Sequence, residues 1–342
     1  MTAAVPATRT ASDGLAISTQ GLVKRYGSRA AVDGLDLHVP RGMVYGFLGP
    51  NGSGKTTTLR LLVGMARPDA GSIELLGEPY TWRDRRRLFR VGALIEQPSF
   101  YPYLSGRDNL RVFGAAGPPT PRHRAEAVLG FVGLSERARD KVKTYSLGMK
   151  QRLGIAAALL SDPELLLLDE PANGLDPGGI VAMRELLRFL TSQGKTVLVS
   201  SHILPEMEQM ADVVGIIAAG RLVREGPLAT ILEHGTRVRV RVPERAVGRT
   251  LEMLAALSPT VESAESAGQR WIAVRVAQDQ AAEVNRVLAG SGVFASGLES
   301  GNDLETVFLT LTGGPGPEQS HLGPPPGWGQ PGPQGQQGSD GP

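Results

Sequence analysis

Residues 49–57 read Gly-Pro-Asn-Gly-Ser-Gly-Lys-Thr-Thr, a complete G-x-x-x-x-G-K-[ST] pattern. The apolar run at 43–48 before it predicts a short buried strand, and residues 59–63 after it predict the continuation of a helix. Glycines let such a backbone curl so that successive N–H groups point inward at phosphate oxygens. The stretch therefore predicts a phosphate loop that binds a nucleoside triphosphate.

Individual positions in this loop have predicted roles. Lys55 is expected to reach the β- and γ-phosphates, and the Thr56 hydroxyl is expected to face Mg²⁺. The helix that begins here presents the positive end of its dipole to the same anion. The nucleotide-binding residues predicted within the loop are Gly49, Pro50, Asn51, Gly52, Ser53, Gly54, Lys55, Thr56 and Thr57.

A second motif is the apolar run 165–168, which ends in the carboxylates Asp169 and Glu170. Open α/β sheets bind their ligands at the carboxyl ends of strands. Asp169 is predicted to hold Mg²⁺ through water, and Glu170 to polarise the attacking water. Taken alone, the run is also typical of a buried strand capped by charges. The phosphate loop upstream favours the catalytic interpretation.

Composition limits the classes of function. With 342 residues and 41% apolar residues the chain can bury a large core. A net charge of +2 and 5% aromatic residues give no support to a nucleic-acid-binding role. Zero cysteines exclude disulfides and thiolate metal sites. We find no signal-peptide pattern and no apolar stretch of membrane-spanning length, so we expect a cytoplasmic protein, soluble or peripheral.

The chain order predicts several regions. Residues 1–14 are expected to be a flexible N-terminus. Residues 15–235 alternate apolar runs with helical patterns, which predicts an α/β domain with a largely parallel sheet. Strand candidates lie at 91–95, 165–168, 196–200 and 213–217. Within this domain, residues 98–160 form a predicted helical insert, with helices near 106–114 and 122–132.

Residues 236–312 predict a small α+β domain of the ferredoxin-like β-α-β-β-α-β order. Its strands are expected near 237–242, 260–263, 271–276 and 293–296, its helices near 247–257 and 280–289, and a closing segment at 304–311. Residues 313–342 contain 8 Pro and 10 Gly, which predicts a disordered tail.

Five further motifs, in order with the phosphate loop, carry a family resemblance. They are Gln97, Ser146-Leu147-Gly148-Met149, Asp169-Glu170, Leu175-Asp176 and His202. From about residue 17 to residue 227 the chain resembles the nucleotide-binding subunit of an ATP-binding cassette (ABC) transporter. The run Ser-Leu-Gly-Met-Lys-Gln-Arg at 146–152 is similar to ATPases of bacterial drug, bacitracin and lantibiotic exporters. The resemblance implies an ABC ATPase core of the P-loop NTPase fold that hydrolyses ATP with Mg²⁺.

This resemblance implies roles for single residues. Tyr26 matches the aromatic residue that stacks on adenine, although an ordinary surface tyrosine is the alternative. Gln97 matches the glutamine that ligates Mg²⁺ and senses the membrane partner, and His202 matches the switch histidine that contacts the γ-phosphate. The implied magnesium ligands are Thr56, Gln97 and Asp169. The implied catalytic residues are Glu170, His202, Gln97 and Lys55.

The resemblance also implies an assembly. Residues 145–149 correspond to the family signature, in which Ser146 and Gly148 bind the ATP held by the opposite subunit. Leu147 and Met149 replace the usual glycine and glutamine. Asp176 is expected along the dimer seam and in the nucleotide-contacting set. One copy each of loop and signature implies a homodimer, and a separate polytopic permease is expected to hold it at the inner face of the membrane.

Three functions are considered for this set of motifs. The favoured one is the ATP-hydrolysing subunit of an ABC exporter that powers efflux of a drug, antibiotic or peptide. The alternative is a soluble, non-transport ABC ATPase that acts on a macromolecular complex; its relatives usually fuse two cassettes or insert a coiled coil, and we find neither pattern here. A scaffold that binds without hydrolysis is opposed by Glu170 and His202. The cargo is recognised by the membrane subunits, so the sequence does not identify it.

Overall fold

The computed structural model describes residues 14–96, 99–117, 121, 123–233, 237–258, 261–266, 269–274, 276, 280–301, 304 and 307–308. Residues 1–13 of the predicted flexible N-terminus, Gln97 and the predicted disordered tail lie outside these ranges. Among the described residues, none of the helices combines the length and apolar character that a bilayer crossing requires.

The described chain contains fifteen strands and nine α-helices. The strands are β1 (Leu15–Tyr26), β2 (Arg29–Leu35), β3 (His38–Pro40), β4 (Val44–Leu48), β5 (Ala70–Leu75), β6 (Glu78–Tyr80), β7 (Val91–Leu94), β8 (Leu165–Asp169), β9 (Thr196–Ser201), β10 (Val213–Ala218), β11 (Arg221–Pro227), β12 (Arg237–Arg241), β13 (Val261–Ser266), β14 (Gln269–Val274) and β15 (Gly297–Gly301). The helices are α1 (Lys55–Leu62), α2 (Gly106–Ala116), α3 (Arg124–Phe131), α4 (Leu147–Ala158), α5 (Pro177–Ser192), α6 (Leu204–Met210), α7 (Leu228–Glu233), α8 (Val247–Ala255) and α9 (Ala281–Gly290).

A six-stranded sheet in the order β11-β10-β4-β9-β8-β7 forms the centre of the fold. Its strands are parallel except for the edge strand β11, as the sequence predicts. Leu166 and Leu168 of β8 pack into one core, and Leu165 and Leu167 pack into a second one. Because alternate residues of a strand point to opposite faces, both faces of this sheet are covered. Because side chains on both faces are buried, the central strands are continuous apolar runs and do not alternate between apolar and polar residues.

An antiparallel sheet of five strands was not predicted from the sequence. Its order is β2-β1-β5-β6, with β3 also paired to β1. The pairing of β1 with β2 shifts register between Leu22 and Val23 and again between Lys24 and Arg25. Such irregularities move side chains to the other face and break the two-residue alternation by which strands are found in a sequence.

Helices α2 and α3 lie in the insert near the two predicted positions, and a third helix, α4, follows them. Ser105 caps α2, since its side chain accepts a hydrogen bond from the Asp108 amide. Ser146 caps α4 in the same way, with the Met149 amide as donor. The division of the chain into domains at 15–235, 98–160 and 236–312 stays a prediction.

The C-terminal strands form an antiparallel sheet in the order β13-β14-β12-β15 around a separate apolar core. One predicted strand is wrong: residues 293–296 are not a strand, and β15 begins at Gly297. Val293 instead closes the end of α9, where its amide donates to the Leu288 carbonyl at 2.9 Å and its side chain is buried. Val293 therefore marks the end of helix α9 and does not begin a strand. The ferredoxin-like assignment of this region stays a prediction.

The two large sheets are joined by a polar contact at Glu225. The Tyr45 hydroxyl on β4 donates to Glu225 Oε1 on β11 at 2.5 Å, and Glu225 Oε2 lies 3.0 Å from His38 Nδ1 on β3. The His38 amide also donates to Glu225 Oε1 at 3.0 Å. Burial and the Glu225 carboxylate raise the pKa of Tyr45 well above its usual value. The tyrosine therefore stays a hydrogen-bond donor across the physiological range.

We predict that Tyr45→Phe lowers the free energy of unfolding by about 2 kcal/mol, because a hydrogen bond to a charged acceptor is lost. Urea unfolding followed by circular dichroism measures this change. Tyr103→Phe is the matched control, since Tyr103 is 73% exposed. Equal unfolding midpoints for the two variants would contradict the structural role of Tyr45.

Candidate nucleotide-binding site

The loop between β4 and α1 needs glycine at two positions for steric reasons. A Cβ on Gly54 would lie 2.3 Å from the Ala31 carbonyl oxygen, and Gly54 has a φ of +113°. A Cβ on Gly49 would lie 2.5 Å from both the Ile217 carbonyl oxygen and Ser53 Oγ. Since Gly54 offers no side-chain cap, the first amides of α1 are left for an external acceptor. This backbone cradle fits a phosphate group.

Lys55 lies inside the loop and is buried. Its ammonium donates to the Gly49 carbonyl at 2.7 Å and to the Pro50 carbonyl at 3.3 Å. The pKa of Lys55 is lowered, because the effect of burial exceeds the opposite effect of the Glu170 and Asp169 carboxylates. A buried cation with flexible partners on the loop is suited to an anionic ligand.

Asp169, at the end of β8, connects three elements. Its Oδ2 accepts a hydrogen bond from Thr56 Oγ1 of α1 at 2.8 Å, and its Oδ1 accepts one from Ser200 Oγ of β9. The structure thus brings the predicted pair Thr56 and Asp169 together. A hydroxyl and a carboxylate are hard oxygen donors of the kind that Mg²⁺ prefers, so this pair fits the ion.

Glu170 follows in a strained conformation, with a φ of +47°. Its amide donates to Ser200 Oγ at 3.0 Å. The Glu170 carboxylate lies between Lys55 and His202. Its Oε1 is 3.6 Å from Lys55 Nζ, and its Oε2 is 2.6 Å from His202 Nδ1. The structure therefore places the predicted Glu170, His202 and Lys55 in one cluster.

A cavity of about 350 Å³ opens beside the loop. It is lined by Tyr26, Arg29, Ala31, Asn51, Gly52, Gly54, Lys55, Thr56, Thr57 and Glu170. Tyr26 is 51% exposed, so its ring is open to a planar ligand. Arg29 was missed from the sequence: its guanidinium donates to the Gly52 carbonyl at 2.9 Å. The available signal was the pair Gly27-Ser28, which forms the two-residue turn between the antiparallel strands β1 and β2.

A second cavity of about 480 Å³ holds the other predicted contacts. It is lined by Ser146, Leu147, Gly148, Arg152, Gly174, Leu175, Asp176, Gly178, Gly179 and Ala182. Among the described residues, the lining of this cavity is entirely different from that of the first. Ser146, Gly148 and Asp176 are thus brought together, but apart from the phosphate loop of the same chain.

The unusual Leu147 has a matching partner in this second cavity. A Cβ on Gly174 would lie 2.7 Å from Leu147 Cδ2, and Gly174 has a φ of +74°. The positive φ of Gly174 favours glycine by itself, and the leucine at position 147 uses the space left by the missing side chain. Leu147 itself is 42% exposed at the start of α4.

Two residues, Gln97 and Ser200, differ from the others in how the sequence predictions and the structure correspond. Gln97 lies outside the described residues, so its predicted magnesium contact is not placed. Ser200, which bonds both Asp169 and the Glu170 amide, was read only as part of a buried strand. Its position two residues before His202 was the available signal.

Comparison with known proteins gives concordant matches. Residues 32–173 match the family model described as ABC transporter. The bacitracin transport ATP-binding protein of Bacillus licheniformis is 48% identical over 212 residues, 62% of this chain and 69% of the relative. The bacitracin transport ATP-binding protein of Enterococcus faecalis is 37% identical over 305 residues, 88% of this chain and 97% of the relative. A solved ATP-binding subunit of an ABC transporter is 29% identical with a TM-score of 0.57, over 63% of this chain and 91% of that one.

We predict that Gly54→Ala weakens nucleotide binding. The new Cβ displaces the loop, and losing one charge-assisted amide contact of about 1.5–3 kcal/mol lowers affinity by roughly tenfold to a hundredfold. Titration of a fluorescent ATP analogue measures the change. Gly194→Ala is the control, because Gly194 has a φ of +78° and open space around it. Equal affinities for both variants would contradict the steric account.

Proposed function

This chain belongs to the ATP-binding subunits of ABC transporters and is an ATPase of that family, and we propose that it powers efflux of a drug, antibiotic or peptide. The efflux is expected to run through a separate membrane permease. The names of the two bacitracin transport relatives support this cargo class. The single observation that carries the proposed chemistry is the cluster of Lys55, Thr56, Asp169, Glu170 and His202 at one end of the central sheet.

In the proposed site the phosphates lie on the loop amides, with Lys55 against their outer oxygens. Thr56 and Asp169 hold Mg²⁺, together with Gln97. When bound, the ion neutralises charge on the phosphates during transfer. Tyr26, at the mouth of the cavity, stacks on the adenine ring.

Glu170 is the proposed base. Its carboxylate orients the attacking water and accepts its proton as the bond between that water and the γ-phosphorus forms and ADP leaves. His202, 2.6 Å from Glu170, holds the carboxylate and contacts the γ-phosphate. The strained backbone at Glu170 and its bonds to Ser200 fix where this carboxylate points.

The separation of the two cavities supports a homodimer. Ser146 and Gly148 line a cavity different from that of the phosphate loop, so they reach an ATP only if a second copy supplies it. The Ser146 and Gly148 region begins α4, whose dipole favours an anion at this end. We propose that two copies face head to tail, each loop against the other copy's signature, with Asp176 along the seam.

Coupling to transport follows from that arrangement. ATP binding closes the dimer, closure moves the attached permease, and hydrolysis lets the dimer reopen. The chain is then peripheral at the inner face of the membrane, held by the permease. A soluble ABC ATPase that acts on a macromolecular complex is the second candidate.

We predict that Glu170→Gln lowers ATP turnover by roughly a hundredfold or more while retaining nucleotide affinity, because general-base catalysis contributes about that factor. Size-exclusion chromatography of the variant with ATP is expected to give a stable dimer. Glu136→Gln, on an exposed side chain, is the matched control. Near-normal hydrolysis by the Glu170 variant would contradict the assigned role.

Affinity purification of the tagged Glu170→Gln protein with ATP, from detergent-solubilised membranes of its host, tests the transport role. We expect a polytopic membrane protein in stoichiometric amount, identified by mass spectrometry. Recovery of ribosomal or chromosomal proteins in its place would support the soluble ATPase and contradict the exporter.

A further inference from the structure

Several large apolar side chains are exposed next to a run of arginines. Trp82 is 37% exposed, Phe89 is 49% exposed and Met65 is 70% exposed. Residues 81–90 read Thr-Trp-Arg-Asp-Arg-Arg-Arg-Leu-Phe-Arg, and the second half of this run is the 3-10 helix Arg85–Arg90. We use the name Trp82 patch for the exposed side chains of this segment and of the nearby chain, namely Met65, Arg67, Trp82, Arg83, Arg85, Arg86 and Phe89.

Contacts within the Trp82 patch bring its parts together. The guanidinium of Arg83 lies 5.1 Å from the centre of the Trp82 ring, and that of Arg67 lies 5.9 Å from it. The backbone of Gly64, next to Met65, packs against Trp82, since a Cβ there would be 3.6 Å from Trp82 Cα. Arg86 and Phe89 are three residues apart in a 3-10 helix and so share a face.

The charges of this segment divide into two groups. Arg87 and Arg90 are neutralised, because they form ion pairs with Glu78, Asp84 and Glu164. The four arginines that belong to the Trp82 patch are exposed. Within the described part of the chain no carboxylate lies at ion-pair distance from any of the following: Arg67, Arg83, Arg85 and Arg86. Of these four arginines, Arg67 and Arg83 lie against the exposed indole. Asp69 interacts with Arg67 electrostatically, without forming an ion pair.

The patch is remote from the ATPase machinery. Helix α1 begins at the phosphate loop with Lys55, and Met65 and Arg67 follow its far end. Among the described residues, those of the patch line neither the loop cavity nor the signature cavity. The hydrolysis of ATP does not explain why an indole and four arginines are held together here.

We propose that the Trp82 patch binds anionic phospholipid headgroups, so that the chain contacts the bilayer surface directly. Arginine pairs bidentately with phosphate, and tryptophan favours the boundary between headgroups and acyl chains. Clusters of basic residues beside apolar side chains bind anionic membranes, whereas the cores of protein interfaces are depleted of charge. The inference relies on the proposed function solely to place the chain beside a membrane.

Nucleic acid is a weaker match for the same charges. The chain has a net charge of +2, so no extended basic field surrounds the patch. One exposed indole gives a single stacking position, while single-stranded nucleic acids use successive ones.

Co-sedimentation of the full chain with lipid vesicles, in the absence of permease, tests this proposal. We expect binding to vesicles that contain phosphatidylglycerol, weak binding to pure phosphatidylcholine, and a loss of binding at high salt. Arg83→Ala/Arg85→Ala/Arg86→Ala is expected to weaken binding by roughly a hundredfold, from about 1 kcal/mol for each arginine. Trp82→Ala is expected to weaken it with no change in charge.

Two further variants separate the explanations. Arg139→Ala/Arg245→Ala/Arg249→Ala removes the same charge from exposed sites elsewhere and is expected to bind as the native chain does. Arg83→Lys/Arg85→Lys/Arg86→Lys keeps the charge and is expected to retain most of the binding. Equal losses in the patch and control variants, or equal binding to both kinds of vesicle, would overturn the proposal.

The remaining outcomes distinguish lipid from other partners. If the alanine triple variant binds vesicles normally but no longer co-purifies with a membrane permease, the patch is a protein-docking surface and the lipid proposal fails. Retention of nucleic acid by the native chain, lost in the triple variant, would also overturn it. ATP hydrolysis in solution is expected to be unchanged by the triple variant; an inactive native chain would instead count against the proposed function.

Discussion

The buried carboxylate of Asp169 is the contact on which the site depends. It accepts hydrogen bonds from Thr56 at the start of α1 and from Ser200 on β9, and it ends β8. Three elements that are distant in the chain are thereby held at one edge of the sheet. The next residue, Glu170, is fixed by the same Ser200 and by its strained φ. An unpaired buried carboxylate would be costly, so these partners also secure the local fold.

In the proposed dimer, each chain carries two halves of a nucleotide site that do not meet. The phosphate loop, Tyr26 and Glu170 line one cavity, and Ser146 and Asp176 line another. In the variant signature, the tip of Leu147 occupies space that a side chain on Gly174 would enter. The departure from the family pattern is therefore accommodated within the fold. This arrangement makes a second copy part of the proposed catalytic unit.

The sequence predicted the parts of the fold where burial is complete and local. The strands β4, β8 and β9 are short and fully buried, and β7 and β10 are buried except for one residue each, so their apolar runs are plain. The antiparallel sheet was missed because bulges interrupt its alternation, and β11 was missed because all of its residues are exposed or half-buried. The strand placed at 293–296 was wrong because the apolar signal of Val293 comes from closing a helix. Motif residues were predictable where chemistry dictates the residue type; Arg29 and Ser200 act through tertiary contacts and were not.

We propose that ATP is hydrolysed between the phosphate loop of one copy and the signature of another. We would measure ATPase activity after mixing two inactive variants, Lys55→Ala and Gly148→Asp. Gly148 lies in the first turn of α4, where an acidic residue does not disfavour the helix. A mixed dimer has one intact pair, the native loop of one chain against the native signature of the other. We expect ATPase activity to return when the two variants are mixed. Activity no greater than the sum of the separate variants would contradict it and place the complete site within a single chain.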